Sequence, residues 1–97
     1  MLRHIFIGTF KAEVGDATKN AELADLRAMK EKIPGIIDLN VNFSTGWIGS
    51  ENSVVITADF ATKADFDAYI AHPYHADYLA AKGAEYFVGY VAAQFEL

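Results

Sequence analysis

Hydrophobic and polar residues alternate along four stretches of this chain, and along two others the hydrophobic ones recur every three or four positions. Over the first stretch, Leu2, His4, Phe6 and Phe10 share one side and Arg3, Ile5, Ile7 and Thr9 the other. A period of two is that of a β-strand. Bulky apolar groups on both sides predict a strand covered on both faces. In a second strand Ile37, Leu39, Val41 and Phe43 oppose Ile36, Asp38, Asn40 and Asn42, a one-sided pattern that predicts a wetter outer face. A third sets Val54, Ile56, Ala58 and Phe60 against Val55, Thr57 and Asp59. The last and longest runs over 86–96, with Phe87, Val91, Ala93 and Phe95 facing one way and Tyr86, Val88, Tyr90, Ala92 and Gln94 the other.

Between the first two strands, residues 18–32 carry Leu23, Leu26, Met29 or Lys30, and Ile33 at helical spacing. Asp16 and Thr18 are start signals, and Pro34-Gly35 is a stop. After the third strand, Thr62 and Asp65 form a capping-box-like pair, and Phe66, Tyr69 and Ile70 fall on one helical face. Pro73 ends or bends that helix. A short helix follows over 74–82, with His75, Tyr78, Leu79 and Lys82 three or four apart, and Gly83 is expected to break it. Residues 44–52, rich in glycine and serine, form a loop. Trp47 and Ile48 within it either fold back on the domain edge, or close a pocket or touch a partner.

The order is therefore strand, helix, strand, strand, helix, strand: an α+β, ferredoxin-like βαββαβ domain over 1–97, with a four-stranded antiparallel sheet. Its helices cover one sheet face. The other face keeps large apolar residues from the first and last strands, and face-to-face pairing of two copies would bury them. The expected assembly is a homodimer of dimeric α/β barrel type.

Composition narrows the picture. An apolar fraction of 53% in 97 residues supports one real core. Net charge is -5, and the 8 basic residues are scattered, so no stripe exists to neutralise phosphates and no nucleic-acid partner is expected. The absence of cysteine excludes disulfides, thiolate metal sites and a cysteine nucleophile, and fits a cytoplasmic location. The amino terminus reads as a strand rather than a signal peptide, and no apolar run approaches the roughly eighteen residues needed to span a bilayer, so no membrane partner is expected.

The candidate chemistry lies in histidine and tyrosine. His72 and His75 sit in the string Tyr69-Ile70-Ala71-His72-Pro73-Tyr74-His75-Ala76-Asp77-Tyr78, and His4 enters from the first strand. His75 is suited to take or give a proton near neutral pH. Tyr69, on the other side of the proline bend, is placed to polarise a substrate oxygen. His4, Phe6, Phe66, Tyr78 and Phe87 are expected to line the same space and contact a small apolar ligand. Each also has a structural reading: His4 as a buried, hydrogen-bonded histidine, His72 as a helix-end residue favoured by the dipole, Tyr69 as a core residue with its hydroxyl at the edge. No metal is expected, because Pro73 interrupts the His72–His75 spacing and no zinc pattern is met. No cofactor is expected either, since phosphate loops, dinucleotide fingerprints and a haem-ligand histidine over a large cleft are not evident.

Four segments in order resemble the stress-responsive A/B barrel (Dabb) family: Leu2-Arg3-His4-Ile5-Phe6 with Phe10-Lys11, Ile33-Pro34-Gly35-Ile36, Asp59-Phe60, and Phe66-Asp67-Ala68-Tyr69-Ile70-Ala71-His72-Pro73-Tyr74-His75. The last carries a tyrosine and isoleucine followed by His-Pro-x-His, the most specific element. The resemblance covers nearly the whole chain. It implies a ferredoxin-like protomer, a tight homodimer, and in some members a cavity between sheet and helices. Members include plant stress-associated proteins. One plant member closes a linear polyketide by intramolecular aldol condensation, and this chain is similar to it at His4, Tyr69 and His75. Two features depart from the pattern: Ser53-Val54 stands where many members have Asp-His, and the preceding loop carries Trp47. Two roles follow, an enzyme or binder acting on a small apolar carbonyl or aromatic compound, by proton abstraction or aldol-type cyclisation, or a non-catalytic structural or stress-response dimer.

Overall fold

Strand β1, Leu2–Phe10, is the centre of the molecule. The computed structural model describes all residues from Met1 to Leu97, and in it β1 pairs antiparallel with both β3 (Ser53–Phe60) and β4 (Phe87–Glu96). Strand β2 (Ile36–Phe43) pairs with β3, so the sheet order is β2-β3-β1-β4 and β2 and β4 are its edges. This is the antiparallel ferredoxin-like arrangement that the order of elements predicted. No helix is long and apolar enough to cross a membrane.

The alternation in β1 and β3 translates directly into burial. Leu2, His4 and Phe10 of β1, with Val54, Ile56, Ala58 and Phe60 of β3, point beneath the helices and are buried. On the opposite face Arg3 meets its register partner Asp59 in a two-pronged ion pair, Nε–Oδ1 2.8 Å and Nη2–Oδ2 2.9 Å. That planar match of guanidinium and carboxylate lowers the Asp59 pKa, chiefly through the hydrogen bond from Arg3.

Two edge strands depart from simple alternation. The β2–β3 register slips between Ile36 and Asp38. The extra residue turns Ile36 into the core and leaves Ile37 half exposed, the reverse of the expected faces, while Val41 stays buried as expected. The β1–β4 register slips between Thr9 and Phe10, where Phe10 faces Phe87. Phe87 is thereby brought inward against Phe10 (ring centroids 5.1 Å) and Phe6 (5.9 Å), away from the face it would share with Val91 and Phe95. A bulge adds one residue to one strand and so inverts every side chain beyond it.

The first helical segment starts at Asp16 and is interrupted once: α1 spans Asp16–Arg27, Ala28 forms a turn, and α2 spans Met29–Lys32. Pro34-Gly35 ends it, with Gly35 at φ 94°, a left-handed conformation that glycine adopts without steric cost. Helix α3 (Lys63–Ala71) is capped as expected by Thr62, whose side chain accepts from the Asp65 amide at 3.2 Å. After Pro73 the chain winds into a π-helical segment, Tyr74–Leu79, and continues into α4, Ala80–Tyr86. Gly83 does not break this helix. It lies where an added Cβ would meet the Phe87 ring at 3.3 Å, so its role is close packing. Trp47 and Ile48, at the tip of the β2–β3 connection, are 87% and 99% exposed and do not fold back on the domain.

Candidate functional site

Helices α1, α3, the π-helical segment and α4 stand off the β1–β4 side of the sheet and leave a cavity of about 670 Å³ beneath them. That size is typical of pockets for small organic ligands. Fourteen of its twenty lining residues are hydrophobic, which favours an apolar occupant. The exposed residues Val88 and Tyr90 of edge strand β4 form part of the wall, so the cavity opens along that edge. Trp47 is not among the lining residues.

Three polar rings meet at the wall. His4 comes from β1, Tyr69 from α3 and His75 from the π-helical segment, and all three border the cavity. The Tyr69 ring lies 4.7 Å from His75 and 5.9 Å from His4, centroid to centroid. Phe66 packs on His4 at 5.1 Å and Phe60 on Tyr69 at 5.1 Å. Tyr69 is on this face because Phe66 and Tyr69 form the inward stripe of α3, with the partly exposed Ile70 at its margin. His75 joins it because Pro73 turns the chain and the next helical turn carries His75 and Leu79, four apart, to the same wall.

Hydrogen bonds set the two histidines differently. The Gln94 amide of β4 donates to His4 Nδ1 at 3.0 Å, which leaves the other ring nitrogen of His4 as an N–H donor. His75 Nδ1 donates to the Ile70 carbonyl at 3.1 Å, which leaves its Nε2 as the ring's free lone pair. Burial lowers the pKa of both, with the proximity of His75 adding to the effect on His4. Both rings are therefore neutral at neutral pH. Burial also pushes the Tyr69 hydroxyl up to about 12, so it remains a donor. The arrangement brings one imidazole with a free lone pair and two hydrogen-bond donors to the wall of an apolar chamber.

Of the other expected ligand contacts, Phe6, Phe66 and Phe87 line the cavity. Tyr78 does not. With Tyr74 it lies on the adjacent helical face, where the two rings stack at 5.1 Å, and its hydroxyl donates to Asp25 Oδ2 at 3.0 Å. The Tyr74 hydroxyl donates to the Asp25 carbonyl at 2.6 Å, so this face docks on α1 instead. His72 is turned away as well, its Nδ1 accepting from the Tyr74 amide at 3.1 Å. That bond organises the turn at Pro73, and His72 stands at the C-terminal end of α3 as expected. No three His, Cys, Asp or Glu side chains lie together to hold a metal ion.

One lining residue escaped the sequence reading. Glu22 of α1 is 1% exposed, and neither of its carboxylate oxygens has a hydrogen-bond partner in the protein. The signal was in the helical stripe: position 22 precedes Leu26 by four and Met29 by seven, so a charged residue stands at a core position. Burial, with Asp25 nearby, raises its pKa to about 7 against the opposing effect of Lys82.

Among solved structures, the fold is similar to that of a dimeric ferredoxin-like protein of unknown function from Thermobifida fusca, at 24% identity and TM-score 0.86, over 99% of this chain and 90% of that one. It is also similar to the hydroxynitrile lyase of Passiflora edulis, at 15% identity and TM-score 0.86, over 99% and 92%. A Dabb family protein with a ferredoxin-like fold from Mesorhizobium loti aligns at 16% identity and TM-score 0.84, over 99% and 95%. At such identities the likeness is one of fold. No curated protein matches the sequence significantly. The family description that matches is the stress responsive A/B barrel domain, over residues 2–96, and the chain belongs to that family.

Proposed function

We propose that this chain binds a small apolar carbonyl or aromatic compound in the cavity and catalyses its enolisation, with aldol-type closure where the compound carries a second carbonyl. The observation that carries this reading is the convergence of His4, Tyr69 and His75 on one apolar cavity. His75 Nε2 takes the proton from the carbon beside the carbonyl, and the C–H electron pair moves to form the enolate. Tyr69 O–H and the His4 N–H donate to the oxygen as negative charge gathers there. In a second step the enolate carbon attacks the other carbonyl, whose oxygen takes the proton back from the His75 imidazolium, or the enolate carbon is itself reprotonated by that imidazolium. The resemblance at these three positions to the plant polyketide cyclase of the family supports the same roles.

The working unit in this reading is a homodimer. Ile5, Ile7 and Val55 are only half covered, and Val91 and Phe95 are exposed, on the sheet face away from the helices. Pairing two such faces would remove them from water.

The test is solvent deuterium incorporation at the α carbon of butyrophenone, followed by NMR, with native mass spectrometry to count bound probe per chain. The wild type is expected to accelerate exchange, with an acid limb below pH 6.5 because burial lowers the His75 pKa. His75→Ala should lose about 10²-fold or more, and Tyr69→Phe about 10- to 10²-fold. Bound probe without accelerated exchange would restrict the site to binding. No bound probe, with variants differing only in stability, would favour a non-catalytic structural or stress-response dimer.

A further inference from the structure

The ring cluster does not use Glu22, and the core does not need it. A glutamate on an apolar helical stripe, flanked in the cavity wall by Leu26 and Met29, occupies a place where leucine would be more stable. A buried carboxyl without partners carries its full desolvation cost. Its neighbours on the protein do not relieve that cost, since neither oxygen accepts a hydrogen bond. Because Glu22 borders the cavity, the carboxyl that the protein leaves unbonded lies next to the space a ligand would occupy.

Glu22 also stands apart from the rings. It is carried on α1, and no hydrogen bond joins it to His4, Tyr69 or His75. The cavity thus has two polar stations, carried on different elements. One, on β1, α3 and the π-helical segment, presents donors and a base. The other, on α1, presents acceptor oxygens, which a carboxyl offers whether or not it is protonated.

We infer that Glu22 is a specificity-determining residue, and that the ligand of this cavity is a hydroxylated carbonyl compound whose hydroxyl donates to the Glu22 carboxyl. This rests on the reading of the cavity given above and adds the polar group that the substrate must carry. A site built to hydrogen-bond a substrate hydroxyl discriminates strongly against the analogue lacking it, because the protein group is then left buried and unpaired.

A matched pair of probes separates the two ideas. 4′-Hydroxybutyrophenone and 4′-methylbutyrophenone have nearly the same shape and differ in the donor. By calorimetry the wild type should bind the hydroxy probe at least about 10-fold tighter. Glu22→Leu should bring the two within about twofold of each other, and Glu22→Gln, which keeps an acceptor oxygen, should retain a part of the preference. Infrared difference spectra of the wild type give a check independent of any variant: the hydroxy probe should shift the Glu22 carboxyl band, and the methyl probe should shift it less. Equal binding of both probes to the wild type, a preference that survives in Glu22→Leu, or an unmoved carboxyl band overturns the role of Glu22 while leaving the cavity reading intact. Failure of both probes to bind the wild type overturns both.

Discussion

Glu22 concentrates the cost of the site in one side chain. Its folded pKa of about 7 lies above the ordinary 4.5, so between those values the folded chain holds a proton that the unfolded chain has released. The contribution of this carboxyl to stability is then greatest at acid pH and falls as pH rises through that window. Glu22→Gln cannot titrate, so its stability relative to wild type should rise by about 3 kcal/mol between pH 4 and pH 8. Urea unfolding at several pH values checks this, and a difference that stays constant with pH would contradict it. At this scale the sequence was informative about residue type and less so about direction. Tyr69 and His75 were legible because imidazole and phenol groups cluster around a proline bend, and His4 because alternation along the first strand turns it to the helix-covered face. Tyr78 was misassigned because positions 75 and 78 both suit a helical face, and only the packing of Tyr74 and Tyr78 on Asp25 shows which face turns inward. Glu22 went unseen because a glutamate in a helix reads by default as solvated.

Elements followed the periodicity closely where strands are central and less closely where they are edges. Alternation in β1 and β3 gave the correct faces throughout, since these strands are paired on both sides and have no freedom to slip. The bulges at Ile36/Asp38 and Thr9/Phe10 reversed the assignment for Ile36, Ile37 and Phe87, and a pattern of two has no means of marking an inserted residue. Gly83 was read as a stop because glycine weakens helices, yet helix α4 continues through it to Tyr86, under which Phe87 needs the space. Gly35 is the case where glycine is required for its backbone. At φ 94° an alanine would be strained, and its Cβ would also meet Asp65 at 3.4 Å. Gly35→Ala is expected to lower stability by about 1–2 kcal/mol. Thermal and urea unfolding measure it, and an unchanged midpoint would count against the strain.

For the molecule as a whole, the sheet has one face beneath helices and one without cover. If that second face is where two copies meet, Val91→Glu places a carboxylate on each side of the contact and should shift the protein from dimer to monomer at micromolar concentration. Sedimentation equilibrium decides it, and a variant that remains dimeric would place the interface elsewhere. The need for cover was legible from the apolar residues on both sides of β1, while the manner of cover was not, because a pattern of faces does not name the surface that will meet them. Strand β4 has a double position in this design. Tyr90, Ala92 and Gln94 wall the cavity, and Val91, Ala93 and Phe95 alternate with them on the open face. Whatever holds one side of this ribbon still holds the other. Occupancy and assembly would thus be thermodynamically linked: ligand would tighten the pair by the same factor by which pairing tightens the ligand. Dilution alone would then loosen a bound compound, with no residue of the cavity altered.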